Sequence, residues 1–539
     1  MHDNINLTQR YERFSDDTLE AAVSGRIFLL TDSGRPEDAE GDVLKIAHAV
    51  YDGTADFNNI YGFFKIVIAD KTSGRTIFFG DNAASQNFFY DPENGTVSDS
   101  LLRLSRMGGK KRSFNLYAAA QYLAYGCTIT QDTLVQGILK TDADMYYIVE
   151  GGKVSVHDKK LLPLSERYTK GDLYDFVKLM TRGMNGEGVC ARVTGGTDSR
   201  AVLAALLKAG VRPSLFISGY EDNPDVSITQ EIGRVTGLEV SALNPHAKED
   251  NWLERSFDFC DGMHDVVGAY RQLILTEMAV KKGSLWFGGV GGEFYKNSFC
   301  MPFRYHCLFR TASAREIINI IFLARMRTAL GKGFLHDEVK KLAARLSDDI
   351  YSLLAGRVER EKGNLARFNT AGVKRMQGYT CMTNTIANYI TQIDPLMDCH
   401  TIRSVSYMSP VALSMHVWQR KQIHKNFPAL GAIRTDQGYS CSLNPLRLNA
   451  ERIKKGLFWS SRVVARVKQK LGLRWKDITA KYWDNDYADA RKTTYWGGGI
   501  TICKQLNILD AGTNDDNIPM HLTGVIILFG MMGEFLEKL

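Results

Sequence analysis

Residues 191–207 read ARVTGGTDSRAVLAALL. A short apolar strand runs into Gly195-Gly196, and an alanine- and leucine-rich helix leaves from Ser199. Two adjacent glycines let backbone N–H groups close on an anion, and a helix N-terminus adds positive potential there. Asp198 stands where a carboxylate can hold a metal bound to phosphates. The Gly-Lys-Ser/Thr ending of a Walker loop is absent, so this is another kind of phosphate loop. The plainer alternative is a tight turn with Asp198 as a helix cap.

The neighbouring segments extend the pattern. LYDFVKLMTRGM (173–184) has helical periodicity, PSLFISGY (213–220) reads as a second strand, and VSITQEIGRVTG (226–237) as a second helix. Strand–helix alternation predicts a parallel, doubly wound sheet. GSLWF (283–287) is a further strand and runs into FGGVGGEFYK (287–296), whose four glycines surround Val290 and end at Glu293. A glycine-rich loop at the carboxyl end of a parallel strand is where such sheets bind ligands, and Glu293 could face Asp198 across a metal. The loop after FISGY is acidic; its plain reading is a solvated loop with Asp225 as a helix cap. From about 310 to 475 helical signals dominate.

Before residue 160 the texture is different. GRIFLLTD (25–32), YGFFKIVIAD (61–70) and RTIFFGD (75–81) read as strands, the last two joined by a Lys-Thr-Ser-Gly turn. NFFYDPENGTVSDS and YYIVEGGKVSVHD repeat the hairpin pattern around Asn-Gly and Gly-Gly. FNLYAAAQYLAYG (114–126) is a helix with a glycine stop. This half is expected to be mainly antiparallel β, with a domain boundary near 163–168.

Composition bounds the rest. The 539 residues are 44% apolar and 24% charged, ordinary for a folded chain of several domain units. The net charge of +7 permits polyanion contacts without demanding them. Nine cysteines with no CxxC spacing argue against a zinc ribbon, a redox pair or a full disulfide framework. Free thiols and the lack of an apolar leader predict a cytoplasmic location. The apolar runs Ile317–Leu323 and Leu522–Met532 are shorter than a membrane span requires. There is no HExxH, GxSxG or kinase signature. His264 beside Asp265 reads as a structural histidine.

On these residues the chain resembles the asparagine synthetase superfamily of N-type ATP pyrophosphatases. VTGGTDSRAVLAALL is similar to its SGGLDS pyrophosphate loop, FGGVGGEF to its SGxGxDE loop, and IDPLMD (393–398) to its RVPFLD segment. NFPALGAIRTDQGYS (426–440) is similar to its LP…RxK…G stretch. FFGDNAASQNFFYDPENGTVSDSLLRL resembles the GDRxGxxPLYY and FASE segments of the N-terminal glutaminase-like domain. The resemblance runs with gaps over roughly residues 25–440. It implies an α/β protein: an N-terminal antiparallel-β-rich, Ntn-type glutaminase-like domain (1–165), then a doubly wound parallel-sheet ATP pyrophosphatase domain with many added helices (166–539).

The resemblance also implies the chemistry. A carboxylate attacks the α-phosphorus of ATP, pyrophosphate leaves, and an amine then displaces AMP from the acyl-adenylate. Carried over, Thr194, Gly195, Gly196, Asp198 and Ser199 cradle pyrophosphate and Mg²⁺, with Asp198 and Glu293 as metal ligands. Val193, Ser218, Gly288 and Gly289 lie near the nucleotide. ATP and Mg²⁺ are the implied cofactors, and a small-molecule or peptide carboxylate and an amine donor are the implied partners. A partner protein delivering substrate is compatible, whereas nucleic acid and a membrane span are not expected.

Several positions depart from the family. Glutamine-dependent members begin Met-Cys, whereas here residue 2 is His2 and no cysteine precedes Cys127. GDNAASQ lacks the usual Arg after Gly-Asp. The glutaminase-like half is therefore expected not to hydrolyse glutamine, as in β-lactam synthetases and lasso-peptide cyclases. Val290 stands where the β-lactam enzymes carry Tyr. Thr391 and Gln392 stand where an acid precedes RVPFLD, and the catalytic Lys of RxK is Asp436. Arg434, Lys421 or Lys425 are the candidate replacement cations, Arg434 being the first choice. The expectation is an AMP-forming amide ligase or cyclase. The alternatives are an ATP-binding regulatory or scaffold protein without turnover, and an RNA-modifying ATP pyrophosphatase that uses the basic stretch around Lys454–Lys476 with Trp459 and Trp475.

Overall fold

The computed structural model describes residues 5–539 apart from 8–9, 31–38, 84, 167–171, 185–187, 220–222, 244–247, 297, 300–309, 324–332, 380, 437–439, 445, 448–449, 451–452 and 454–482. The basic stretch 454–476 lies outside the described residues. The protein is mixed α/β, with a six-stranded antiparallel sheet, a small four-stranded sheet that holds the Asn-Gly hairpin, a parallel sheet and many helices.

The antiparallel sheet has six strands in the spatial order Lys153–Asp158, Met145–Glu150, Thr76–Gly80, Ile60–Asp70, Leu19–Leu29 and Glu12–Ser15. The hairpins read from the sequence are present. Asp70 accepts the N–H groups of Thr72 and Ser73 in the first turn. Gly151 and Gly152 both take positive φ (56° and 74°) in the second, a conformation that costs glycine no Cβ clash. Ile60–Asp70 is buried on both faces, so it reads as a nearly continuous apolar run. Phe64, Ile66 and Ile68 pack with Ile46 and Val50 of the helix Val43–Tyr51. Tyr61 and Phe63 join the core of the parallel sheet, where Tyr61 stacks on His400 with ring centroids 4.0 Å apart. One expectation is corrected here: the strand read from residue 25 begins at Leu19, because LEAAV pairs with Ile66–Asp70. The helix Val43–Tyr51 is an element the sequence reading did not single out.

The second sheet is parallel throughout. Its five strands lie in the order Val240–Leu243, Ser214–Ser218, Val189–Arg192, Leu285–Phe287, Thr391–Ile393. Numbered by sequence, that order is 3-2-1-4-5. The chain grows to one side from the first strand, then returns to its other side. The helices Asp198–Lys208 and Pro224–Thr236 follow the first two strands as the periodicity predicts, and Gly237 stops the second at φ 65°. Thr391–Ile393 adds a strand inside the stretch from about 310 to 475 where helical signals dominate. Three residues carry no periodicity, and the strand exists because Phe287 and its neighbours offer a free edge.

The helix Thr523–Glu537 is nearly all buried. It crosses Thr494–Gln505 closely: a Cβ on Gly530 would lie 2.6 Å from Gly499 Cα. One helix among the described residues is long and apolar enough to cross a membrane, Met520–Glu537, with mean hydropathy 1.3, and most of it is buried inside the protein. The described cysteines, 127, 190, 260, 399, 441 and 503, are free thiols. Asp265 caps the helix Val266–Lys282 and accepts the Tyr487 hydroxyl, so the His264–Asp265 pair is structural.

Candidate active site at the sheet switch point

The first and fourth strands of the parallel sheet are neighbours, and their following chains leave in opposite directions. This is the switch point, outside whose carboxyl ends open α/β sheets bind ligands. Both glycine loops lie there and touch. A Cβ on Gly289 would come 3.0 Å from Ser199 N and 3.2 Å from Ser199 Cα. One on Gly292 would come 2.2 Å from the Asp198 carboxyl carbon. Only glycine lets the second loop approach this closely to the first turn of the helix.

The loop 193–199 is tied down by its own hydroxyls. Val193 N donates to Phe216 O across the sheet (3.2 Å). Thr194 N donates to Ser199 Oγ (3.1 Å), and Gly196 N approaches Thr194 Oγ1 at 3.4 Å. Gly195 N donates to Asp225 Oδ1 at 2.8 Å. Asp225 was expected to cap its helix; instead Asn223 is the cap, and the Asp225 carboxylate sits on the loop amide. An anionic oxygen thus occupies one of the amides that the phosphate-loop reading assigns to a phosphate. The first amides of the helix Asp198–Lys208 have no acceptor within the helix.

Asp198 is the first residue of that helix, not its cap. Its carboxylate is ion-paired with Lys296 and accepts Gln419 Nε2 at 3.2 Å. Lys296 ends the turn Gly292–Lys296 that also carries Glu293, which is exposed. Burial pulls the Lys296 pKa down, but the charges of Asp198, Glu293 and Asp436 outweigh this and raise it. Asp436 reaches the same loop: its N–H donates to Gly195 O at 3.2 Å. Thr197 Oγ1 lies 3.0 Å from Nδ1 of His416, a buried residue held at φ 56° at the start of the helix Val417–Asn426.

A second carboxyl group holds the other loop. Asp394 follows the last strand and is 2% exposed. It accepts Val290 N (3.3 Å) and Gln392 Nε2 (2.6 Å), and a Cβ on Gly288 would fall 2.1 Å from its Oδ1. Burial pushes the Asp394 carboxyl up to about 6. Arg192, at the end of the first strand, lies in the field of Asp394 and Asp225. Asp398, the last residue of IDPLMD, caps the helix Cys399–Val405 through Thr401 N at 2.8 Å, a structural role.

The sequence reading therefore meets the structure unevenly. Val193, Thr194, Gly195, Gly196, Asp198, Ser199, Gly288 and Gly289 converge on the two touching loops, and Ser218 ends the adjacent second strand. Glu293 is on the second loop. Arg434 is exposed, and its backbone oxygen accepts Arg200 Nη2 at 3.0 Å. Lys425 is ion-paired with Asp172 at the surface, and Lys421 is exposed. Lys296, Asp394, His416 and Gln419 were not singled out. Lys296 and Asp394 lie within the quoted loops, but His416 and Gln419 carry no local signal.

Among the described residues no three His, Cys, Asp or Glu side chains are grouped to hold a metal. Magnesium held by one or two carboxylates plus phosphate oxygens needs no such cage. Asp198 on its helix N-terminus, with Glu293 on the loop packed against it, fits that donor set. No protein-family model matches the sequence, and no curated protein matches it.

Proposed function

We propose that the protein is an ATP-dependent, AMP-forming carbon–nitrogen ligase or cyclase that activates a substrate carboxylate. The carrying observation is the meeting of two glycine loops at the switch point, with Gly289 against Ser199 and Gly292 against Asp198. Backbone amides and a helix N-terminus there suit a pyrophosphate leaving group, whose charge must be neutralised for the P–O bond to break. Asp198, with Glu293, would hold Mg²⁺, which supplies further neutralisation of the phosphates when bound. Thr194, Gly195, Gly196 and Ser199 would line the phosphate site, while Val193, Ser218, Gly288 and Gly289 would border the nucleotide. Asp225 must release Gly195 N for that amide to serve.

In this reading residues 1–165 are a degenerate glutaminase-like unit retained as a scaffold, and 166–539 the synthetase unit. Cys127, the first cysteine in the sequence, is buried in a packed core and is no nucleophile. The amine would come from the substrate itself or from a separate donor. A small molecule or peptide would supply the carboxylate.

The test is pyrophosphate release from ATP and Mg²⁺ by wild type and Asp198→Ala, across pools of amino-acid, peptide and sugar-acid carboxylates, with mass analysis of products. Release that needs both substrate and Asp198, with AMP formed, is the expected result. ATP binding without release from any pool would favour the second reading, a non-turnover ATP-binding protein. Asp436 in the place of a catalytic lysine is the feature that speaks for it.

A further inference from the structure

The cations around the loops have mostly committed their charge elsewhere. Arg200 is fully buried and donates to the carbonyls of Leu430, Ile433, Gly195 and Arg434. Lys425 pairs with Asp172. Arg192 lies in the field of Asp394 and Asp225. Lys296 differs. It stands on the second glycine loop, its ammonium is on the Asp198 carboxylate, and its side chain keeps 28% exposure. Three carboxylates, those of Asp198, Glu293 and Asp436, share its field. An ammonium ion among carboxylates beside a phosphate loop occupies the kind of place that a metal takes.

We propose that Lys296 is the catalytic cation of this site: it contacts a phosphate oxygen of bound nucleotide, and its pair with Asp198 is the nucleotide-free arrangement that metal entry breaks. This rests on the adenylating reading above and deepens it. Position 436 carries a carboxylate, so in this reading the second loop supplies the positive charge instead. Lys296 stays protonated throughout and exchanges no proton. With Asp198 and Glu293 turned to a metal, the Lys296 ammonium would be released toward the phosphate, and Asp436 would keep it at the site. Binding therefore exchanges one carboxylate–ammonium contact for a carboxylate–metal and an ammonium–phosphate contact.

The experiment uses the full chain and two probes, inorganic pyrophosphate and ATP, titrated by calorimetry at several Mg²⁺ concentrations. Wild type, Lys296→Met, Lys296→Arg, Asp198→Asn and Lys282→Met are compared. Two opposite changes are expected in Lys296→Met. At saturating Mg²⁺ both probes bind at least tenfold more weakly, while the Mg²⁺ concentration for half-maximal binding falls severalfold, because no ammonium competes for Asp198. Lys296→Arg restores most of the affinity, and Lys282→Met, at a surface pair with Glu239, binds as wild type. A residue that merely supports the fold would not lower the Mg²⁺ requirement. If wild type binds the probes and Asp198→Asn weakens them, but Lys296→Met changes neither quantity, the Lys296 assignment alone is overturned. If wild type binds neither probe, both the assignment and the nucleotide reading are overturned.

Discussion

Gly288→Ala is the sharpest structural test of the second loop. The new methyl would sit 2.1 Å from Asp394 Oδ1 and 3.2 Å from its Cγ, where carbon–oxygen contact distance is more than 3 Å. The carboxyl group must retreat by about 1 Å, yet it is 2% exposed and accepts Val290 N and Gln392 Nε2. Overpacking of this kind costs about 1–3 kcal/mol. Weakening the two hydrogen bonds of a buried carboxyl adds about 1–3 kcal/mol more. The expected loss is therefore about 3 kcal/mol. Asp394→Ala alone also destabilises, because Val290 N and the Gln392 amide lose their acceptor. Combined, the two changes should cost clearly less than their sum, since the methyl then enters space that the carboxyl has vacated. A double-mutant cycle from urea unfolding, followed by tryptophan fluorescence and read at a shared slope, should give a coupling of about 2 kcal/mol. Trp286, buried in register with Gln392, reports on this region. Additive effects within about 0.5 kcal/mol would refute the geometry.

Three further outcomes are expected. Asp261 is buried among Ser100, Leu101 and Leu102, whose donors it accepts, and burial raises its pKa to about 6. The folded state then holds this proton more tightly than the unfolded chain, so stability falls as pH rises from about 4 to 6; relative to Asp261→Asn, wild type should lose about 2 kcal/mol between pH 4 and 7.5 in denaturant unfolding, and a parallel profile would exclude this. Lys159 is buried on Gly80 O at 2.7 Å, and burial lowers its pKa to about 7. Stability should rise from pH 7 to 10 through this group, and Lys159→Met should flatten that rise in thermal melts. Glu361 accepts Leu164 N, Ser165 N and Thr370 Oγ1 at 2.7–2.8 Å, tying the segment after the last antiparallel strand to the helices. Glu361→Ala should cost about 2–4 kcal/mol and speed limited proteolysis near residue 165, and unchanged cleavage would show that the tie is dispensable.

Much of the molecule was legible without coordinates where local chemistry decides local shape. Glycine pairs, turn residues and apolar periodicity act over a few residues, so the hairpins at 70–76 and 150–153, the helices after Gly196 and Asn223 and both glycine loops follow from sequence alone. The tertiary structure decided which strands are neighbours, and with that which loops face each other. Thr391–Ile393 is a strand only because Leu285–Phe287 presents an edge to it. Charges depend still more on long-range placement. Asp225, read as a helix cap, lies on Gly195; Lys296, passed over beside Glu293, holds Asp198; His416 and Gln419 arrive from a helix more than 200 residues away. A side chain's partner is chosen by packing, because burying a charge without one is too costly to tolerate, and packing is not written in any short window.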